Sequence, residues 1–311
     1  MTGSEQDSLH HSSAQSSVGQ VRENNEDSIR LWSSGQFVLG AVADGMGGAA
    51  AGEEASRLAV QAIERRMLVP GAADPAAIAQ LSDEALADML ETAIREGNHD
   101  ILDLARRSPD YRGMGTTITI AYVRGNRCII AHVGDSRAYL VEVHPPQITQ
   151  ITADHSFVEA LVAAGHLTPD QAAEHPMKNV LYRALGQSEY VEVDIYEVQL
   201  EPTDRLLLCS DGLTRHVLPE EIADIVQHED NPESSGARLI DLANERGGED
   251  NVSVVLITIA ADPADNPEDQ IELRRIDPQA EPTVSFNSRA LLDDLISSLP
   301  ANDAEEPDET R

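Results

Sequence analysis

The chain has 311 residues, 22 basic and 55 acidic, for a formal net charge of −33, with 41% hydrophobic and only 3% aromatic content. That length holds one large core or two ordinary ones, and the apolar fraction is that of a soluble globular protein. So acidic a chain repels nucleic acid and anionic membrane, and most of its acidity reads as solvated surface plus acidic tails.

Residues 1–15 are polar, Ser-rich and His-containing, which predicts a disordered N-terminal segment. They carry neither a basic start nor an apolar stretch, so no secretory signal is expected. No apolar run reaches the roughly 18–20 residues needed to span a bilayer. Cys128 and Cys209 both lie in apolar strand-like runs without metal-binding or disulfide spacing, which fits a reducing cytoplasm.

Structure is expected over 16–260 without a linker. A strand is predicted at 36–43, then helices at 52–67 and 82–107 on the spacing of their apolar residues, with Ser82 a plausible N-cap. A run of strands follows at 116–123, 127–133, 137–143 and 147–151, the first two joined by a hairpin-type turn at Gly125-Asn126. Helices are predicted at 156–165 and from Pro169, then strands at 205–209 and 252–259 with helices at 219–227 and 235–246 between them. Short turns between neighbouring strands favour antiparallel pairing. Residues 261–311 are acidic and rich in proline, and read as a flexible tail. Within the tail, 288–299 places Leu291, Leu292, Leu295, Ile296 and Leu299 on one helical side, suited either to docking on the chain's own domain or to a partner.

The chemistry lies where apolar runs meet aspartate. Runs 38–44, 129–135 and 206–211 each end in one, at Asp44, Asp135 and Asp211, and Asp250 opens the run 251–259. Glu26-Asp27 precedes the first. Each Asp-Gly alone suits a turn, but repeated carboxylates at buried strand ends converge only around a cation. Hard oxygen ligands select Mg²⁺ or Mn²⁺, and Arg22 offers a planar fork for phosphate oxygens. Two patterns compete. Residues 45–50 fit a G-x-G-x-x-A dinucleotide loop, yet Asp44 would face the pyrophosphate and no acid-ended second strand follows. Residues 209–215 fit the C-x5-R spacing of a thiol phosphatase, yet Asp211 sits two residues from Cys209 and disfavours a thiolate. His132, His155, His166 and His175 lie near the acidic motifs without metal-ligand spacing, and one of them is a candidate proton donor.

Seven segments in order resemble the metal-dependent protein phosphatase family (PPM, or protein phosphatase 2C) in its bacterial form. They are VRENNEDS, VADGMGG with GEEAS, GMGTTITI, AHVGDSRAYL, ITADHS, LLCSDGL and GGEDNVSVV, spread over nearly all of the expected structured region. The resemblance implies an α+β fold, a four-layer α-β-β-α sandwich of two antiparallel sheets flanked by helices. It implies two Mn²⁺ or Mg²⁺ ions bridged by Asp44, with the Gly45 carbonyl on one and Asp211 and Asp250 on the other. Asp27 would act through coordinated water, Arg22 would grip the substrate phosphate, and Asp135 would hold a third, weaker ion. Residues 156–185 match a mobile flap. Relatives carry histidine at the places of Met46 or Ala49, which leaves the proton donor open. The activity implied is hydrolysis of phosphoserine and phosphothreonine by direct attack of a metal-bridging water. The expected protein is a cytoplasmic monomer acting on phosphoproteins and opposing a bacterial serine/threonine kinase.

Overall fold

Leu206, Leu207, Leu208 and Cys209 follow one another on a single strand, and all four are fully buried. Successive strand residues point to opposite faces, so both faces of that sheet must be covered. The computed structural model describes residues 10–34, 36–68 and 78–259, and within them every strand pairing is antiparallel.

One sheet joins β1 (His10–Ser17), β11 (Val252–Ile259), β10 (Arg205–Cys209), β7 (Arg137–Glu142) and β8 (Gln147–Gln150), in that order. The other joins β2 (Asp27–Ser33), β3 (Val38–Met46), β5 (Ile118–Arg124), β6 (Arg127–Val133) and β9 (Asp194–Gln199), with the short β4 (Gly115–Thr116) added at the end of β3. Val38, Val42, Ala121 and Ile130 of this second sheet meet Leu206, Leu208, Val255 and Ile257 of the first in the layer between them. Gly40 belongs to that layer too, where a Cβ would come within 2.8 Å of Val255 Cγ1.

The opposite faces carry the helices. Leu39, Ala41, Ile118, Ile120 and Tyr122 pack under α1 (Ala49–Met67) and α2 (Asp83–Arg107). On α2 the buried residues Leu86, Leu90, Ala93, Ile94 and Ile101 repeat at helical spacing, and Gly97 lets Ala59 and Ala62 of α1 approach. Each large side chain so buried contributes about 1.5–3 kcal/mol. Ser82 caps α2, accepting a hydrogen bond from the Ala85 amide at 3.2 Å. On the other side Leu207, Cys209, Val254 and Leu256 pack under α5 (Asp211–Thr214), α6 (Pro219–His228) and α7 (Pro232–Glu245). The architecture is therefore α-β-β-α. Between β8 and β9 lie α3 (Phe157–Ala163) and α4 (Pro169–Ala173), capped by Ser156 and Thr168. No helix among the described residues is long and apolar enough to cross a membrane.

Three departures from the sequence expectations concern strands. Disorder through residue 15 is corrected, because β1 begins at His10 and pairs with β11 along its whole length, from His10↔Ile259 to Ser17↔Val252. A backbone ladder at a sheet edge needs no apolar alternation, and here polar links reinforce it: the Ser16 and Ser253 hydroxyls meet at 2.7 Å, and the Gln15 amide donates to the Glu233 carbonyl at 2.8 Å. Among the described residues regular structure thus starts at His10, not at 16. β2 and β9 carry no apolar run and were not anticipated; both flank the second sheet, and their residues are mostly half-buried. β3 extends past Asp44 to pair with β4 at Gly45↔Thr116. Residues 1–9 and the tail with its expected helix at 288–299 lie outside the described residues.

Candidate metal centre

Strand register brings the first two aspartates together. Asp27 on β2 is the direct partner of Asp44 on β3. Asp44 is fixed through its backbone: its amide donates to Thr117 Oγ1 at 2.9 Å, and its carbonyl accepts from the Thr117 amide and the Thr116 hydroxyl, both at 2.9 Å. Thr117 Oγ1 also lies 2.7 Å from the Ser136 hydroxyl, beside Asp135. Asp211 opens α5 just beyond β10, and Asp250 stands just before β11, so the central pair of the first sheet delivers both.

Close backbone approach does the rest. A Cβ on Gly45 would sit 2.1 Å from the Gly52 carbonyl oxygen, and one on Gly52 would sit 1.9 Å from Glu26 Oε2. A Cβ on Gly212 would meet the Asn251 carbonyl oxygen at 2.0 Å, so only glycine lets the Asp211 and Asp250 loops touch. Asn251 is the buried organiser of this end. Its Oδ1 accepts from the Glu26 amide at 2.8 Å, and its Nδ2 donates to the carbonyls of Val18 at 2.9 Å and Asn24 at 3.0 Å. The segment carrying Arg22 is thereby tied to Asp250. Arg22 Nη2 donates to Asp250 Oδ2 at 3.0 Å, with nearly half of its side chain exposed.

These carboxyls raise one another's pKa. Burial pushes Asp27 up to about 7, and the charges of Asp211 and Asp250 add to it. Burial and then Asp27, Asp211, Asp135 and Asp250 hold Asp44 well above the ordinary carboxylate range. Asp135 is raised likewise by burial and Asp211, and Asp211 by burial and Asp250, with Arg215 opposing both. Ser253 and Ser210 pull Asp27 the other way, yet neither Asp27 oxygen has a partner at hydrogen-bond geometry, nor does Asp211 Oδ1. Such buried oxygens are costly unless a cation meets them. The donors are all oxygen, so the site fits Mn²⁺ or Mg²⁺ rather than zinc or copper. The aspartates are not drawn into a closed cage: no group of three or more His, Cys, Asp or Glu side chains among the described residues stands ready-made as a metal site. Arg215 lies between two of them, its Nη1 donating to Asp250 Oδ2 at 2.9 Å and its Nη2 to Asp211 Oδ2.

The competing patterns dissolve. Cys209 is fully buried against the helices, its thiol is pushed up to about 12 by burial, and Arg215 holds carboxylates rather than the sulfur. The strand that leads into the glycines after Asp44 is paired antiparallel on both sides and is not part of a parallel strand–helix–strand unit. His132 and His155 are buried and committed. His132 Nε2 donates to the carbonyls of Gly134 at 3.0 Å and Ala153 at 3.1 Å, its Nδ1 lies 2.9 Å from the Thr119 hydroxyl, and burial lowers its pKa to about 3. His155 Nδ1 accepts from the Gly134 amide at 2.9 Å, leaving its Nε2 to donate to Asp194 Oδ2 at 3.1 Å, and burial lowers its pKa too. Neither carries a spare proton at neutral pH. His175 lies beside Phe157, and His166 in the turn after α3.

Sequence reasoning singled out the aspartates but missed what arranges them. Asn251 reads as an ordinary residue after an aspartate. Arg215 was visible only as the end of the C-x5-R spacing, and Arg137, which grips Asp154 from Nε and Nη2, lay unremarked inside a motif.

Residues 15–256 match the family model described as Protein phosphatase 2C. The serine/threonine protein phosphatase PstP of Mycobacterium tuberculosis is 42% identical over 250 residues, covering 79% of this chain and 44% of that protein. The chain therefore spans less than half the length of that relative. The serine/threonine phosphatase stp of Listeria welshimeri is 38% identical over 249 residues, covering 79% of this chain and 95% of that one. The crystal structure of the PstP catalytic domain in complex with two manganese ions superposes with a TM-score of 0.68 at 38% identity, covering 81% of this chain and 99% of that one.

Proposed function

The chain belongs to the protein phosphatase 2C family, and from that premise we propose that it hydrolyses phosphoserine and phosphothreonine in proteins, opposing a serine/threonine kinase. The observation that carries the reading is the cross-strand pairing of Asp27 with Asp44 and the joining of Asp211 and Asp250 through Arg215, with three buried carboxylate oxygens on Asp27 and Asp211 left without partners. Asp44, the Gly45 carbonyl, Asp211 and Asp250 would hold two Mn²⁺ or Mg²⁺ ions, with Asp27 at the edge. Bound there, the ions would supply an acidified water and positive charge at the phosphoryl oxygens.

The chain's own groups do the remaining work. Arg22 presents an exposed guanidinium whose fork fits two phosphate oxygens, and its link to Asp250 aims it at the centre. Asn251 keeps that arginine's segment in place. Thr116 and Thr117 fix the Asp44 backbone and so the point from which its carboxyl extends. With Met46 and Ala49 at the places where relatives carry histidine, and His132 and His155 neutral and buried, the proton for the departing hydroxyl comes from neither of these two rings.

Activity on phosphothreonine peptides is expected with Mn²⁺ and lost on chelation. Asp44→Asn and Asp211→Asn should each lower kcat by at least about 100-fold, while Cys209→Ser leaves it nearly intact. Full activity after exhaustive chelation, or loss in the cysteine variant alone, would overturn the proposal.

A further inference from the structure

We infer that Gln187 is a substrate-reading residue of this site, its side-chain amide pairing with the main chain of the substrate protein beside the phosphorylated residue. The inference deepens the phosphoprotein reading above and rests on it.

Strand residues alternate between faces, so Met46 shares the face of Asp44 and of Val42, which points between the sheets. On the β4 side of this strand end, Gly45 pairs with Thr116 and Met46 with Gly115. Thr116 is bridged in turn to Leu185: its amide donates to the Leu185 carbonyl at 3.1 Å, and the Leu185 amide donates back at 2.9 Å. A short ladder thus runs from Gly45 through Thr116 to Leu185, and Gln187 follows two residues later. Its exposed side chain returns across Gly115 towards the centre, placing Nε2 at 3.9 Å from Met46 Sδ. A thioether is a weak acceptor, so a carbonyl oxygen would readily replace it. Gln187 Oε1 accepts no hydrogen bond among the described residues.

The backbone that carries this loosely engaged amide is held firmly. Asn98, buried on α2, accepts from the Gly186 amide at 2.7 Å and donates to the Ser188 carbonyl at 2.9 Å. Arg106 Nη2 donates to Glu189 Oε1 at 2.6 Å, and the Arg95 guanidinium lies over the Tyr190 ring at 5.2 Å. A Cβ on Gly186, whose φ is +85°, would come within 2.6 Å of the Met114 carbonyl oxygen, so the segment lies flush against the chain entering β4. A fixed backbone with an uncommitted polar tip lowers the ordering cost of a contact. A side-chain amide both donates and accepts, which matches the N–H and C=O groups of a peptide, and it carries no charge to prefer an acidic or basic flank. Phosphoserine and phosphothreonine bear their phosphate on a short arm. A substrate whose phosphate reaches the aspartates therefore brings its main chain to this wall. Gln187 is the recognition residue there, and Asn98 is the positioning residue behind it.

The test compares kcat/KM for a phosphothreonine peptide with that for p-nitrophenyl phosphate, which offers a phosphate but no main chain. It uses the full chain with Mn²⁺ as wild type, Gln187→Ala, Gln187→Met, Asn98→Ala and the Asn98→Ala/Gln187→Ala double variant. Methionine keeps the length of glutamine without its amide. The ratio of the two kcat/KM values should fall at least about fivefold in both Gln187 variants, through KM for the peptide. Asn98→Ala should lower the ratio as well, and Gln187→Ala should cost less in that background than alone. Because Gln187 is exposed, its variants decide the matter if Asn98→Ala prevents folding. An unchanged ratio in Gln187→Ala, or a loss in alanine that methionine restores, overturns the inference and leaves the phosphatase reading intact. A wild type that hydrolyses neither compound overturns both.

Discussion

His132 sits at zero exposure with Nε2 donating to backbone carbonyls and Nδ1 against the Thr119 hydroxyl, and burial favours its neutral form in the folded chain. Its pKa is about 3 when folded, against about 6.5 when unfolded. Between those values the unfolded chain binds a proton the folded chain does not, so this term costs stability as pH falls from about 6.5 towards 3. The raised carboxyls of the metal centre titrate in the opposite sense, so the informative quantity is a difference. His132→Asn should flatten the slope of unfolding free energy against pH in that window by up to about 1.4 kcal/mol per pH unit, measured by urea melts of metal-stripped protein. Parallel curves for variant and wild type would mean that His132 titrates normally. At this scale the sequence was legible for acids and opaque for their supports. Aspartates beside apolar runs announce themselves because a buried carboxylate is expensive. Asn251, Thr117 and Ser136 do not, because nothing in their types says that their partners lie far away in the chain.

Strands with apolar runs were read close to their observed limits, since β5, β6, β10 and β11 are buried on both faces and have little choice of side chain. β1, β2 and β9 lie at the margins of the sheets and are held by their neighbours' backbone, which leaves only a weak mark on their own sequences. That is costly for reading the site, because β2 carries Asp27. The link between the β1–β2 segment and the centre is Asn251, and its removal is an element-scale experiment. Asn251→Ala leaves the Glu26 amide and two carbonyls without their buried partner, at a cost of about 1–3 kcal/mol. Because those groups flank Arg22, KM for a phosphopeptide should rise by a larger factor than kcat falls. If kcat falls more than KM rises, Asn251 acts mainly by placing Asp250.

The molecule as a whole carries −33, a field that opposes the approach of a dianionic phosphate until the substrate brings its own positive charge. Phosphosites flanked by lysine or arginine should therefore give a higher kcat/KM than acidic ones, with the gap narrowing as salt is raised from about 0.01 to 0.5 M. Equal values at low salt would show that the centre's local charge alone governs selection. Alternating apolar runs and helical spacing made the strands, the helices and their antiparallel pairing legible, the layered arrangement followed only from the family resemblance, and the starting point at His10 was not legible. One detail of that architecture reaches further. Asp27 and Asp44 are cross-strand partners on β2 and β3, and a slip of one residue would turn every β2 side chain to the opposite face. In β2, Ile29 and Leu31 pack into the layer between the sheets and Trp32 under the helices, so a slip would misplace these side chains as well as Asp27. A chain closed in the wrong register could still bury its helices and most of its core, yet it would have no place for the ions. An ion held between Asp27 and Asp44 would therefore favour correctly aligned molecules over slipped ones.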